Sequence, residues 1–184
     1  MNKSFYKSVE KKGFEHVITI YCAAAITMWE SLGWRKKRIL GVLKETEEAW
    51  IECSKSKKSM IQMLDEETGV EVQIGNGKSY KELDYLNENR YGRMYDGMSR
   101  QKAIYIQARM LEWIPAQVTA CLLLGLHRKQ GFGSERLAKL YGDLQDVLSR
   151  YPMKGRMNAL KRDCISLTGI RVERKSNGTL VDEE

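Results

Sequence analysis

Cys22–Leu43, CAAAITMWESLGWRKKRILGVL, lies over Ala120–Tyr141, ACLLLGLHRKQGFGSERLAKLY, without a gap. Gly33-Trp34 falls on Gly131-Phe132, Arg38 on Arg136 and Ile39 on Leu137, while Val42 and Leu43 meet Leu140 and Tyr141. Upstream of the glycine, Cys22–Met28 and Ala120–Leu126 are both small and apolar. Downstream, Ala49-Trp50 meets Val147-Leu148. After a two-residue gap the register resumes, with Met60 on Leu160, Leu64 on Cys164 and Val72 on Val172. Between these, Thr68-Gly69-Val70 lies on Thr168-Gly169-Ile170. Agreement in order, spacing and residue type marks an internal duplication, and a duplication sets the architecture before any single element is assigned.

Each copy has a physical interpretation. In the first, Val17, Tyr21, Ala24, Ala25, Met28 and Leu32 share one helical face. Gly33 then ends that helix, because glycine takes the positive φ of a C-terminal cap at no steric cost. The second helix of the C-terminal copy carries Leu137, Leu140, Tyr141, Leu144, Val147, Leu148 and Tyr151 on one stripe. Its counterpart carries Ile39, Val42, Leu43, Thr46, Ala49, Trp50 and Cys53, where only Thr46 breaks the apolar face. A third, shorter helix around Ser59–Glu67 and Gly155–Leu167 ends at Thr-Gly. Beyond it, Val70–Ile74 and Ile170–Arg174 alternate apolar and polar residues, as half-buried strands do. A module of roughly 55 residues buries too little surface to be stable alone. Two copies sharing a core across a pseudo-twofold interface, with their short strands paired, resolve this.

The predicted fold class is therefore mainly α, with two pseudo-symmetric helical modules in tandem, six or seven helices and one small β element. The modules span 1–77 and 115–184, the second ending in a polar tail from Ser176 that is expected to fray. Between them, 78–114 is a connector holding five of the nine tyrosines, Tyr80, Tyr85, Tyr91, Tyr95 and Tyr105. Basic residues are interleaved with them, among them Arg90, Arg93, Arg100 and Arg109. Ser99 is placed to cap a helix running to Trp113. Pro115 is expected to stop or kink that helix and to open the next.

Net charge is +7 and the isoelectric point about 9.2. That balance favours a polyanionic partner and says nothing about fold. Arg35-Lys36-Lys37-Arg38 is the densest basic run and starts the first copy's second helix, where cations oppose the helix dipole. The second copy has Gly133-Ser134-Glu135-Arg136 there, so the modules are electrically unlike. The candidate partner-binding or nucleic-acid-binding residues are Arg35, Lys36, Lys37, Arg38, Lys55, Lys57, Lys58, Arg90, Tyr91, Arg93 and Tyr95. Arginine and tyrosine anchor interfaces and stack on bases. The same composition also suits a solvated basic face with tyrosines covering an apolar strip.

Catalytic patterns are not found. The chain contains no Walker loop, dinucleotide fingerprint, H-E-x-x-H or nucleophile elbow. Its histidines, His16 and His127, form no constellation with carboxylates. Cys22, Cys53, Cys121 and Cys164 are too dispersed for a zinc site and are expected to be buried free thiols. No enzyme activity, cofactor or metal is expected. No apolar run approaches the roughly 18 to 20 residues of a membrane span, and Met1–Lys12 lacks the apolar core of a signal peptide, so a cytoplasmic location is expected.

Leu126–Leu144, LHRKQGFGSERLAKLYGDL, resembles a module of small proteins from Firmicutes phages and mobile elements, in which a helix ends in an F-G-F-G-like turn followed by a basic R-L helix. Gly131, Phe132, Gly133, Arg136 and Leu137 carry the resemblance. The first copy keeps Gly33, Trp34, Arg38 and Ile39 but has Arg35 where the second glycine stands. As a whole, the doubled basic chain resembles the type II-A anti-CRISPR proteins of such elements. That resemblance implies a phage-type protein that binds and inhibits a bacterial type II RNA-guided DNA nuclease in the host cytoplasm, with non-specific duplex DNA binding besides. It transfers no residue roles. Because that nuclease has positively charged nucleic-acid channels, a basic inhibitor is expected to dock on an acidic patch or to hold DNA and nuclease together unproductively. The alternative is a helix-turn-helix-like DNA-binding regulator, with the Trp34–Glu45 helix near a groove. A second copy of the chain is a further candidate partner.

Overall fold

The computed structural model describes residues 3–55, 58–75, 77, 79 and 100–173. Six helices account for most of them: α1 (Lys3–Leu32), α2 (Lys36–Ser54), α3 (Met60–Thr68), α4 (Arg100–Gln130), α5 (Ser134–Ser149) and α6 (Arg156–Thr168). The fold is mainly α, as the periodicity predicts. Among the described residues there is no strand, and only single bridge positions at Ile74 and Val172. The predicted alternation is nevertheless present. Val70, Val72, Ile74, Ile170 and Val172 are buried, and Glu71, Gln73, Arg171 and Glu173 are exposed.

The centre is built from α1 and α4. Every residue from Tyr21 to Met28 is buried, and so is every residue from Ala116 to Leu126. Both runs exceed two helical turns, so each helix is enclosed on all sides in the manner of a core helix rather than presenting one apolar stripe. Ala23, Ala24 and Ala25, at 0–2% exposed, supply the thin side chains that let neighbours approach. The single face expected for α1 is thus too narrow, and its outer members Val17 and Leu32 are only partly buried. Further back along both helices, a Cβ placed on Gly13 would stand 3.2 Å from Ile114 Cδ1. Past their ends the Trp34 and Phe132 rings meet. The two helices therefore lie side by side and run in the same direction.

The remaining helices wrap this pair. α1 packs most extensively on α6, then on α4 and α5, and only lightly on α2; α4 packs on α2, α3 and α1, and lightly on α5. α2 buries Ile39, Leu40, Val42, Leu43 and Ala49, and α5 buries Leu137, Leu140, Leu144 and Val147. Tyr141, Leu148 and Tyr151 pack on this core while half-buried. Two expectations are corrected along α2. Thr46 does not interrupt the buried face, because its hydroxyl donates to Val42 O at 2.8 Å and is satisfied inside the core. Trp50, expected on that face, is 39% exposed. The third correction concerns the helix end and start expected at Pro115, which lies within α4. An interior proline costs about 3 kcal/mol, and the enclosed run that follows it offsets that cost. The boundary expected at 114/115 consequently falls inside one continuous helix.

α3 and α6 end alike. Gly69 and Gly169 both have φ of 69°. Before them, Thr68 Oγ1 donates to Leu64 O and accepts from Val70 N, and Thr168 Oγ1 does the same with Cys164 O and Ile170 N. α3 starts in a capping box between Ser59 and Gln62. Its Met60 N–H also donates to the buried Gln117 Oε1 of α4 at 3.0 Å.

Candidate nucleic-acid interface

The chain leaves α1 and α4 through the same turn. Gly33 and Gly131 have φ of 64° and 66°, which reverses the chain and drives the next residue inward. Trp34 N donates to Met28 O and Phe132 N to Leu126 O, both at 3.2 Å. The inward aromatics are 6% and 1% exposed, and their rings touch edge to face with centroids 5.8 Å apart. Burial and ring contact both stabilise this arrangement. Arg35 O then receives Arg38 N and Ile39 N to begin α2, and Gly133 O receives Leu137 N to begin α5. The second turn has an extra clasp between His127 Nδ1 and Phe132 O, 2.8 Å apart. Because the two rings touch, α2 and α5 start close to one another at the same end of the α1–α4 pair.

That end carries the basic run. Arg35, Lys37 and Arg38 are exposed and Lys36 is half-exposed. The Lys36 stem passes the cap of α6, with Cδ 3.7 Å from where a Cβ on Gly169 would stand. This sets the cation near the negative end of the α6 dipole and eases its position at the start of α2. The Arg38 guanidinium lies 4.0 Å from the Trp34 ring centroid. Arg136, from α5, lies 3.8 Å from that of Phe132. None of Arg35, Lys36, Lys37, Arg38 and Arg136 forms an ion pair with a described residue.

Some cations elsewhere are held by partners. Arg128 forms two bonds to the Glu67 carboxylate, and that contact, ahead of an opposing effect of burial, holds Glu67 below the usual carboxylate range. Arg150 bonds both oxygens of Glu30 at 2.8 and 2.9 Å. Lys161 meets Glu173, and Arg156 donates to Tyr151 O.

The predicted site residues do not all converge. Arg35–Arg38 stand together at the start of α2. Lys55 follows the far end of α2, about 28 Å away at 1.5 Å per residue, and Lys58 is paired with Glu66 at 2.6 Å. Lys57, Arg90, Tyr91, Arg93 and Tyr95 lie outside the described residues. Arg136 was not among the expected site residues, although its alignment with Arg38 supplies the signal: one arginine at the same step after the glycine in both copies.

Two other features are candidates for chemistry. A groove of about 710 Å³ opens between the first halves of α1 and α4, with Lys12, Glu15, His16, Glu112 and Arg156 on its walls. Burial lowers the pKa of His16, and Glu15 acts against that. Cys22, Cys121 and Cys164 are buried and form no disulfide. Among the described residues no group of His, Cys, Asp or Glu could hold a metal ion, and no helix is long and apolar enough to cross a membrane. No protein-family model, curated protein or solved structure matches the chain.

Proposed function

We propose that this protein is a non-enzymatic binding protein of phage type, which holds the phosphates of duplex DNA on the face around Arg35–Arg38. One observation carries the proposal: four successive cations, Arg35–Arg38, stand at the start of α2, with Arg136 at the start of α5, and none of the five has a carboxylate partner among the described residues. Unpaired cations at a helix start cost some tenths of a kcal/mol each, and phosphate contact recovers that through charge and counterion release. The proposal includes the architecture. The chain is a tandem duplication whose halves are related by a pseudo-twofold, each central helix resting on the other half's outer helices, and the Val70–Ile74 and Ile170–Arg174 segments supply a small β element. The paired turns, the paired Thr-Gly caps and the crossed packing support it.

Inhibition of a type II RNA-guided nuclease is the second function proposed. Trp50, 39% exposed on α2 beside the exposed Ile51, favours it, since tryptophan is among the residues that anchor protein interfaces.

Anisotropy of a labelled duplex, measured over about 50–300 mM salt, tests the first function. Binding should weaken steeply with salt, and Arg35→Ala/Lys36→Ala/Lys37→Ala should reduce the slope by about three units. A salt-independent or absent signal rejects DNA binding. Titration into a nuclease–guide cleavage assay tests the second, which requires inhibition at stoichiometric protein that is lost in Trp50→Ala.

A further inference from the structure

We infer that Arg38 and Arg136 form a paired clamp for duplex DNA, one guanidinium to each strand across a single groove; this deepens the DNA-binding function proposed above and rests on it. The two residues come from different halves of the chain, yet one continuous stack joins them. Arg38 lies 4.0 Å from the Trp34 centroid, Trp34 5.8 Å from Phe132, and Phe132 3.8 Å from Arg136. The two rings are buried and therefore fixed, so they form a rigid base under two exposed charges.

A guanidinium lying on an aromatic face uses that face for attraction and leaves its edge donors directed outward. Neither arginine spends those donors on a described residue. Each is thus a preorganised fork of N–H groups, the geometry suited to two phosphate oxygens. Holding the side chain in place before binding removes much of the entropy cost that a free surface lysine meets on contact.

Spacing and symmetry select the partner. The three short steps along the stack hold the two guanidiniums no more than about 14 Å apart, comparable with the roughly 12 Å width of the major groove of B-form DNA. Each arginine is the third residue of its helix after a Gly-aromatic turn, and the turns oppose each other through the ring contact. A duplex offers the same relation, because its antiparallel strands are exchanged by a local twofold axis. A single strand offers phosphates on one side only. Phosphate contacts position a protein without reading bases, so the clamp grips duplexes regardless of sequence.

The test uses the full chain, a labelled 20-base-pair duplex and the corresponding single strand. Arg38→Ala and Arg136→Ala should each weaken duplex binding and lower the salt slope by about one unit, and the double variant by about two. Arg38→Lys and Arg136→Lys keep the charge and should preserve the slope. They should still weaken binding on the order of tenfold, because lysine lacks the planar fork. Arg38→Met and Arg136→Met keep an apolar stem on the rings. They should retain the wild-type melting temperature while losing binding, which a purely structural role for the stacks would not produce. Full-strength binding by both alanine variants, with loss only in the Arg35/Lys36/Lys37 triple variant, overturns the clamp and leaves the DNA-binding function standing. Equal affinity for duplex and single strand also overturns it. No duplex binding by the wild-type chain removes both.

Discussion

Gly33 and Gly131 stand at positive φ with nothing within 4 Å of where a Cβ would be, so a side chain there meets strain in its own backbone and no clash. Gly131→Ala should therefore destabilise by about 1–2 kcal/mol, the cost of a left-handed L-residue; a lower urea midpoint at unchanged m would show it. These turns were legible in the sequence because a glycine followed by an aromatic, recurring at matched positions, has a local cause. His16 differs, since its environment comes from elements distant in sequence. Burial lowers its folded-state pKa below 6.5. As pH falls, the unfolded chain takes up the proton first, so stability present above the unfolded value is lost as the pH drops through 6.5 and levels off below the folded one. Urea midpoints between about pH 8 and pH 5 should decline in the wild type and decline less in His16→Gln. The stacked arginines were half legible. Arg136 aligned with Arg38 on sight, but only the fold puts the two aromatics in contact.

α5 shows what periodicity can establish about an element. Its stripe predicted the burial of Leu137, Leu140 and Leu144, all 4% exposed or less, while Leu148 at the end of the stripe is only half-buried. Leu140→Ala should cost about 2–5 kcal/mol in denaturant melts if the cavity persists. The central helices were misjudged because a stripe is the signature of a helix with one wet side. α1 and α4 have no wet side over their middle turns, so a period of 3.6 carries little information there. Pro115 misled for a related reason. Its local cost is real, but tertiary enclosure of Ala116–Leu126 decides the outcome. The alternation at Val70–Ile74 and Ile170–Arg174 predicts strands, and the structure keeps its burial pattern without a strand among the described residues, because a ladder requires pairing that alternation alone does not supply.

On the scale of the whole molecule, the crossed packing has a measurable consequence. α1 rests chiefly on α6, α4 and α5, and α4 on α2, α3 and α1, so neither half contains its own core. A fragment of residues 1–79 should have little stable helix as a monomer, and mixing it with 80–184 should restore helicity and a cooperative melt. A monomeric, cooperatively folded 1–79 fragment would contradict the crossed arrangement. The matched positions of the two halves were legible in the sequence, but which helices pack across the halves was not, because alignment shows which positions correspond and not which ones touch. Under the proposed duplication, covalent fusion of such partners has an effect beyond stability. Two identical subunits carry every substitution in duplicate and separate on dilution, whereas a single chain holding both partners does neither. It can set Thr46 against Gly125 at one place and Leu144 beside Thr27 at another. It can likewise keep Arg35-Lys36-Lys37 ahead of one second helix and Gly133-Ser134-Glu135 ahead of the other. Joined in one polypeptide, the two halves behave as an obligate heterodimer whose members are free to specialise.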